Sequence, residues 1–170
     1  MIELRPLLES DLRTVDEWFD AAHVRRWWRH DRAEQFLPVL HGAEPTVVLV
    51  AVHERRTVGL GQWYRWDDDA EARDAYGIPV GTLGIDYLIG RAHDCERGLG
   101  TALVAALLEV MPALPVWVTP EEANEPSRRV LEKNGFELMA VKQCHVRDEP
   151  EAGPTALYRL LRDASRPAER

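Results

Sequence analysis

One stretch decides the fold, and it reads Gly84-Ile-Asp-Tyr-Leu-Ile-Gly90, Arg91-Ala-His-Asp-Cys-Glu-Arg97, Gly98-Leu-Gly100, Thr101-Ala-Leu-Val-Ala-Ala-Leu-Leu-Glu-Val110. In its first part apolar and polar residues alternate, as they do in a strand with two different faces. Apolar residues then recur at helical spacing, at Leu99, Leu103, Leu107 and Val110, and Pro112 ends the predicted helix. The stretch therefore predicts a strand, a polar loop, a glycine turn and a helix.

The glycine turn predicts a phosphate site. Gly98 and Gly100 allow backbone N–H groups to converge where the helix begins, and such a helix N-terminus binds anions. A dinucleotide fingerprint would need a third glycine where Leu103 stands, and a P-loop would need Gly-Lys-Ser/Thr, which the sequence lacks. A tight packing turn is the alternative. The strand would therefore offer the Asp86 carboxylate, and the glycine turn that follows would offer a phosphate cradle.

Composition limits the class of protein. The chain has 170 residues, 45% of them hydrophobic, which predicts one compact domain over residues 1–163 and a flexible tail over 164–170. The net charge of −8 argues against a nucleic-acid partner and favours a cationic one.

Cysteine usage and hydropathy indicate the compartment. Cys95 and Cys144 lack metal-ligand spacing, so we expect no metal site and a reducing environment. No apolar run is long enough for a membrane span, and the N-terminus lacks a signal-peptide core. The sequence predicts a cytoplasmic protein without a membrane partner.

The remaining segments surround the central stretch with strands and helices. The predicted strands are Ile2 to Pro6, Thr46 to His53, Thr57 to Trp66, Val116 to Val118, Phe136 to Arg147 and Thr155 to Leu161. The predicted helices begin at Ser10 or Asp11, Ala21, Arg32 and Asn124 or Glu125, and a polar loop spans Asp67 to Pro79. This order predicts an α/β (α+β) fold with a mixed central sheet of about six or seven strands and helices on both faces.

Motifs along the whole chain resemble those of the GCN5-related N-acetyltransferase (GNAT) superfamily. Within it the chain is most similar to the aminoglycoside 6′-N-acetyltransferases, and a sister group, the siderophore lysine acyltransferases, shares much of the pattern. The matching segments are Arg5-Pro-Leu, Asp11-Leu, His23-Val-Arg-Arg-Trp-Trp28, Gly84-Ile-Asp86, Arg97-Gly-Leu-Gly100-Thr101, Thr119-Pro, Asn124, Glu132-Lys-Asn-Gly-Phe136 and Gly153-Pro154.

The resemblance implies direct acetyl transfer from acetyl-CoA to a primary amine. It assigns the acceptance of the proton and the binding of the ammonium group to Asp86, and it makes the backbone N–H of Leu88 the oxyanion donor. The cofactor would be held by Leu88, Glu96, Arg97, Gly98, Leu99, Gly100, Thr101 and Asn124. The alternatives are a solvated carboxylate for Asp86 and a plain helix cap for Asn124.

The acceptor side of the resemblance is aromatic and acidic. Trp27 and Trp28 would form a wall of the substrate pocket, although one of the two is expected in the core. Glu71 and Asp74, in the acidic segment Asp67 to Asp74, would attract a polycationic substrate. A solvated loop without a ligand is the alternative reading of that segment.

The sequence departs from the family pattern at three positions. Cys95 replaces the usual Gln or Arg before the cradle, Pro120 replaces an acidic residue near the substrate amines, and Leu131 replaces a tyrosine that could protonate the leaving thiolate. The resemblance therefore assigns no general acid and no acidic substrate contact at position 120.

Several functions compete with 6′-acetylation of aminoglycosides. Siderophore-type lysine acylation, acetylation of another small polyamine, acetylation of a protein, and a non-catalytic acyl-CoA-binding domain share the same frame. In each enzymatic case except protein acetylation the partner is a small cationic amine. The oligomeric state is expected to be a monomer or a weak homodimer.

Overall fold

Seven strands form one mixed sheet, which confirms the predicted fold class. We describe a computed structural model over residues 1–29, 31–143 and 153–162. The strands are β1 Glu3–Pro6, β2 Val47–His53, β3 Arg56–Arg65, β4 Leu83–Ile89, β5 Val116–Val118, β6 Glu137–Lys142 and β7 Thr155–Leu160. Their order in the sheet is β1-β2-β3-β4-β5-β7-β6. β4 and β5 are parallel, and β1 with β2, β2 with β3, β5 with β7 and β6 with β7 are antiparallel.

Within the described residues, six α-helices connect or flank these strands. They are α1 Leu12–Asp20, α2 Ala22–Arg25, α3 Leu37–Leu40, α4 Ala70–Tyr76, α5 Leu99–Val110 and α6 Glu125–Lys133. Short 3₁₀ turns span Glu9–Asp11, Ala33–Phe36, Trp66–Asp68 and Ala92–Asp94. The predicted central stretch is confirmed, because β4, a loop and α5 follow one another where alternation and helical spacing place them.

The chain divides into two compact units. The first contains Met1–Trp63 and Asp86–Leu107, and the second contains Tyr64–Ile85 and Leu108–Arg170. A single domain over residues 1–163 stays a prediction. The predicted tail 164–170, Cys144 and residues 144–147 of the predicted sixth strand lie outside the described residues. The part of the chain that is described contains no helix long and apolar enough to cross a membrane.

The first unit contains hydrophobic clusters, of which two involve the central strands and helices among the described residues. In one of them, α1 contributes Val15, Trp18 and Phe19, which pack with Leu60 of β3 and Leu88 of β4. In the other, Leu99, Leu103 and Leu107 of α5 pack with Ala51 and Val58. The leucine spacing read from the sequence thus gives the buried face of α5, and this packing fixes the start of the helix against the strands.

The core of the second unit includes an aromatic cluster. Trp66 is buried and packs edge-on against Tyr64 and Tyr76, with ring centroids 5.5 and 6.0 Å apart. Its indole N–H donates to the carbonyl oxygen of Trp117 at 3.1 Å, so the buried polar atom of Trp66 is satisfied. This cluster holds the acidic segment that begins at Asp67.

The predicted polar loop from Asp67 to Pro79 is wrong in its central part, because it contains helix α4. Asp69 caps the helix by accepting a hydrogen bond from the Ala72 N–H at 3.0 Å, and Gly77 ends it in the left-handed conformation. The run of acids obscured a helix whose start and stop signals are both present in the sequence.

The start of α1 and the length of α2 also differ from the prediction. Asp11 precedes α1, but its carboxylate makes no cap bond into the helix. It accepts two hydrogen bonds from Arg5, at 2.7 and 2.8 Å, and one from the Leu8 N–H. The second predicted helix, Ala21 to Trp28, is helical only over Ala22–Arg25.

Gly90 is required for the close packing of α1 against the end of β4. A Cβ at position 90 would collide with the indole of Trp18, a buried side chain. We expect Gly90→Ala to lower the free energy of unfolding by about 1–3 kcal/mol, as overpacking does in cores. Chemical denaturation measures the change.

Gly153→Ala is the matched control for this prediction. Among the described residues, a Cβ at position 153 would meet Glu121 Oε2 alone, at an ordinary contact distance of 3.6 Å. The control should therefore retain the stability of the wild type. If both variants are equally stable, Trp18 does not constrain residue 90.

Candidate active site

Asp86 lies in the middle of β4 and is held by a polar side chain of the neighbouring strand. Its side chain is half-buried, as are those of Tyr87 and Ile89, whereas Ile85 and Leu88 are buried, so burial along β4 does not follow the predicted alternation. Gln62 Nε2 of β3 donates to Asp86 Oδ2 at 2.8 Å. Because the amide is neutral, it orients the carboxylate without cancelling its charge. The role of Asp86 in binding an ammonium group and accepting a proton stays a prediction.

Leu88 follows Asp86 by two residues, and its side chain belongs to the core. It is 4% exposed and packs in the cluster that contains Trp18, Phe19 and Leu60. This packing anchors the backbone of β4 next to Asp86. The role of the Leu88 N–H as an oxyanion donor stays a prediction.

The backbone before α5 has the shape that a phosphate cradle needs. Glu96 and Gly98 both adopt the left-handed conformation, with φ of +60° and +79°, and the 12-residue helix α5 begins at Leu99. Left-handed residues next to a helix start turn successive N–H groups toward one side, where the helix N-terminus also favours negative charge. The Gly98 carbonyl accepts from the Ala102 N–H at 3.0 Å, which joins the turn to the first helical turn. The segment from Glu96 to Thr101 therefore fits a diphosphate.

A buried ion pair precedes this cradle. The Asp94 carboxylate is fully buried and accepts two hydrogen bonds from the guanidinium of Arg56, at 2.7 and 2.9 Å. The Arg56 guanidinium lowers the pKa of the Asp94 carboxyl below its ordinary value, and burial acts in the opposite direction. The carboxylate is thus ionised at neutral pH.

Sequence reasoning did not find Gln62, Arg56 or Asp94 as functional candidates. The predicted strand began at Thr57, but β3 begins at Arg56, directly after Glu54 and Arg55, which have positive φ. Arg56 and Asp94 are 38 residues apart, and Gln62 and Asp86 are 24 apart. A polar residue inside a strand pattern is the local signal for Gln62, whereas neither partner carries a signal for the Arg56–Asp94 pair.

The two tryptophans of the predicted substrate wall have different surroundings. Trp28 packs on Phe19, with ring centroids 5.6 Å apart, and borders the core of the first unit. Trp27 is half-buried, and the guanidinium of Arg26 lies 4.8 Å from the centroid of its ring. Trp28 is therefore the core member of the pair. A role of either ring in substrate binding stays a prediction.

The acidic segment uses three of its five carboxylates for its own structure. Asp67 and Asp74 pair with Arg73, at 2.8 and 2.7 Å, and Arg73 lowers the pKa of the Asp67 carboxyl. Asp69 caps α4. Within the described residues, Asp68 and Glu71 form no ion pair and are exposed. The attraction of a cation therefore rests on Asp68 and Glu71 more than on Asp74.

Asn124 caps helix α6. Its side-chain oxygen accepts from the Ser127 N–H at 3.2 Å, which confirms the helix start that the sequence predicts. A contact with the cofactor stays a prediction. Asn124, Glu71 and Asp74 belong to the second compact unit, whereas Asp86, Leu88, the cradle and both tryptophans belong to the first.

Comparison with known proteins gives the family. A family model described as an acetyltransferase (GNAT) domain matches residues 7–143, which is well over half of the chain. The chain belongs to the GNAT acetyltransferase family. This confirms the predicted fold, the acyltransferase activity and the use of acetyl-CoA as the cofactor.

Several relatives of this GNAT acetyltransferase are named as aminoglycoside acetyltransferases. The aminoglycoside N(6′)-acetyltransferases type 1 of Klebsiella pneumoniae and Serratia marcescens are each 29% identical over 156 residues, which cover 80% of this chain and 74% of the relative. A crystal structure of the aminoglycoside acetyltransferase AAC(6′)-Ib in complex with coenzyme A and kanamycin is 27% identical. It matches with a TM-score of 0.76 and covers 96% of both chains.

The departures of this GNAT chain from the family pattern do not supply a substitute catalytic group. Leu131 is fully buried in α6, and a leucine side chain has no proton to donate, so this position offers no acid. Cys95 is half-buried, and burial together with Asp94 and Glu96 raises the pKa of its thiol, which disfavours a thiolate nucleophile. Among the described residues no cluster of three or more His, Cys, Asp or Glu could hold a metal ion.

The cradle can be tested by Gly100→Asp. The substitution places a side chain and a negative charge where the diphosphate of coenzyme A would lie, so we expect binding to collapse while the fold remains. Coenzyme A at a hundredfold excess over its dissociation constant should stabilise the wild type by about 2.7 kcal/mol and the variant hardly at all. Thermal unfolding with and without coenzyme A gives the comparison.

Gly42→Asp is the control for the cradle test. Gly42 has a positive φ and lies outside the cradle, and a Cβ there would meet no atom of the described residues within 4 Å. This variant should respond to coenzyme A as the wild type does. A normal response of Gly100→Asp would place the phosphate site elsewhere.

Proposed function

We propose that this protein acetylates the 6′-amine of aminoglycosides by direct transfer from acetyl-CoA. The observation that carries the proposal is the Gln62–Asp86 hydrogen bond of 2.8 Å, which orients an ionisable carboxylate in the same compact unit as the cradle. The relatives named above support the choice of substrate. Acetylation converts a cationic amine into a neutral amide, and loss of that charge would weaken an aminoglycoside's binding to anionic targets. Antibiotic resistance is therefore the proposed consequence.

Asp86 is the proposed proton acceptor and ammonium site. A primary amine is mostly protonated at pH 7 and must lose a proton before it can act as a nucleophile. The ionised carboxylate binds the ammonium form and accepts the proton, directly or through a water molecule. Gln62 orients the carboxylate through a neutral amide, which adds no positive charge beside it.

The proposed cofactor site consists of backbone groups and one amide. The N–H groups of the segment from Glu96 to Thr101 would hold the diphosphate, Asn124 the pantetheine arm, and the Leu88 N–H the carbonyl oxygen as it gains charge. Bound acetyl-CoA supplies the thioester that the amine attacks and a thiolate that leaves readily near neutral pH. The missing tyrosine at position 131 is therefore compatible with turnover.

The proposed partner is a small polycationic amine. Asp68, Glu71 and Asp74 supply negative charge for its capture, and Trp27 supplies an aromatic face. The net charge of −8 disfavours nucleic acid. We also propose a cytoplasmic location and a monomer or weak homodimer.

The substrate can be tested by an amine panel with acetyl-CoA and a thiol-release readout. We expect kanamycin and ribostamycin to be acetylated at the 6′-amine, and lysine derivatives and linear polyamines to react poorly. Asp86→Asn should lower turnover about a hundred- to ten-thousandfold, because the amide accepts no proton, and should leave coenzyme A binding intact.

The panel also separates the competing functions. Activity on a lysine derivative but on no aminoglycoside would indicate a siderophore-type acyltransferase. The proposed mechanism would still hold in that case. Wild-type turnover by Asp86→Asn at pH 7 would exclude Asp86 as the proton acceptor. Coenzyme A binding without thiol release from any amine would indicate a non-catalytic acyl-CoA-binding domain.

The role of the acidic segment can be tested by neutralising its unpaired carboxylates. Asp68→Asn together with Glu71→Gln should raise KM for kanamycin several-fold and leave kcat nearly unchanged, because these charges attract the substrate but take no part in the chemistry. The effect should shrink as salt is raised. Steady-state kinetics at low and high ionic strength measure it.

The control for the acidic segment is Glu44→Gln together with Glu109→Gln. Both glutamates are exposed and lie outside the segment. This control removes the same net charge but leaves the acidic segment intact, so KM for kanamycin should stay near the wild-type value. An equal rise of KM in both double variants would mean that total charge, and not the acidic segment, captures the substrate.

A further inference from the structure

The carboxylate of Asp94 is the one acid of the segment 91–98 that is withdrawn from solvent. It ends the 3₁₀ turn Ala92–Asp94, two residues before the left-handed Glu96. Its side chain is 0% exposed, whereas that of its partner Arg56 is 38% exposed. The two hydrogen bonds of 2.7 and 2.9 Å run in parallel from the guanidinium to both carboxylate oxygens. Such a fork fixes orientation as well as distance.

Two further basic side chains lie near the same carboxylate at longer distances. His93 Nε2 lies 3.6 Å and Arg97 Nη1 lies 3.8 Å from Asp94 Oδ1. Both side chains are about two-thirds exposed, so solvent screens their contribution strongly. Arg56 is therefore the group that compensates the charge of Asp94 and joins the loop to β3.

This pair has a consequence for anion binding at the adjacent cradle. An uncompensated carboxylate near the start of α5 would repel a diphosphate and would also be costly to bury. A paired carboxylate contributes little net charge and keeps the loop in place. The same guanidinium thus serves the geometry and the electrostatics of the cradle.

We propose that Arg56 is a positioning residue for coenzyme A, because its fork to Asp94 fixes the cradle loop and cancels the carboxylate charge beside the phosphates. The proposal rests on the proposed cradle at residues 96–101. It assigns a function in cofactor binding to two residues that touch no reacting atom.

A double-mutant cycle at Arg56 and Asp94 tests the proposal. Coenzyme A binding to the full chain is measured by calorimetry for the wild type, Arg56→Gln, Asp94→Asn and the double variant. Arg56→Gln leaves a buried anion near the phosphates, so its Kd should rise by about tenfold or more, which corresponds to about 1.4 kcal/mol. The double variant replaces the ion pair by two amides and should recover most of the loss. Asp94→Asn alone should bind better than Arg56→Gln, because the positive charge remains.

Two further measurements separate cofactor binding from simple stability. At saturating acetyl-CoA, kcat of Arg56→Gln should approach the wild-type value, while KM for acetyl-CoA follows the calorimetric Kd. Arg13→Gln is the matched control, because it removes an exposed arginine of α1 whose side chain is 92% exposed. Its Kd for coenzyme A should be unchanged.

The outcomes distinguish this proposal from the cradle on which it rests. If Gly100→Asp loses coenzyme A but folded Arg56→Gln binds it normally, the role of Arg56 is wrong and the cradle stands. If Gly100→Asp also binds normally, the cradle itself is wrong. A double variant that binds no better than Arg56→Gln would overturn the charge argument.

Arg56→Lys keeps the test decisive if Arg56→Gln does not fold. Lysine retains the charge but cannot form the two-pronged contact, so a raised Kd supports the positioning role. A wild-type Kd for this variant would overturn it.

Discussion

The candidate active site depends on one constraint, which is that several backbone N–H groups must point toward the same place at the start of α5. A helix start leaves such groups without helical acceptors, but their direction depends on the residues before it. Here Glu96 and Gly98 take left-handed conformations, and only Gly98 lacks the Cβ that makes this conformation costly. Glu96 therefore needs support from its surroundings. The packing of Leu99, Leu103 and Leu107 on one side and the Arg56–Asp94 pair on the other supply it.

Two aspartates of the first unit show how the partner of a carboxylate decides its use. Asp94 is fully buried and paired with a guanidinium, so its charge is compensated and its position is fixed. Asp86 is half-buried and accepts a hydrogen bond from the neutral amide of Gln62, so this contact orients the carboxylate without adding a positive charge. The first arrangement suits a structural element beside an anion site. The second suits a group that must bind a cation and accept a proton.

The parts of the fold that the sequence predicted are those set by local patterns. The strand around Asp86, the leucine spacing of α5 and the Asn124 cap each involve residues within one element, and the structure confirms them. The pairs Gln62–Asp86 and Arg56–Asp94 join distant parts of the chain. Their detection requires the pairing of strands and loops, which a single sequence does not state. The two hydrogen bonds from Arg5 to Asp11 were not predicted for a similar reason. A cap signal concerns only the backbone N–H groups of the adjacent helix.

The acidic segment shows why a count of charges overstates a binding surface. Five carboxylates in a short run predicted a polar loop that attracts cations. In the structure Asp69 begins α4, and Arg73 on the same helix pairs with Asp67 and Asp74. The cap and the pairs give a short helix the end contacts that it needs, since seven residues are too few for a helix to be stable alone. Carboxylates that stabilise the helix are less available to a ligand. The charge left for a polycationic substrate belongs chiefly to Asp68 and Glu71, and α4 determines where Glu71 is presented.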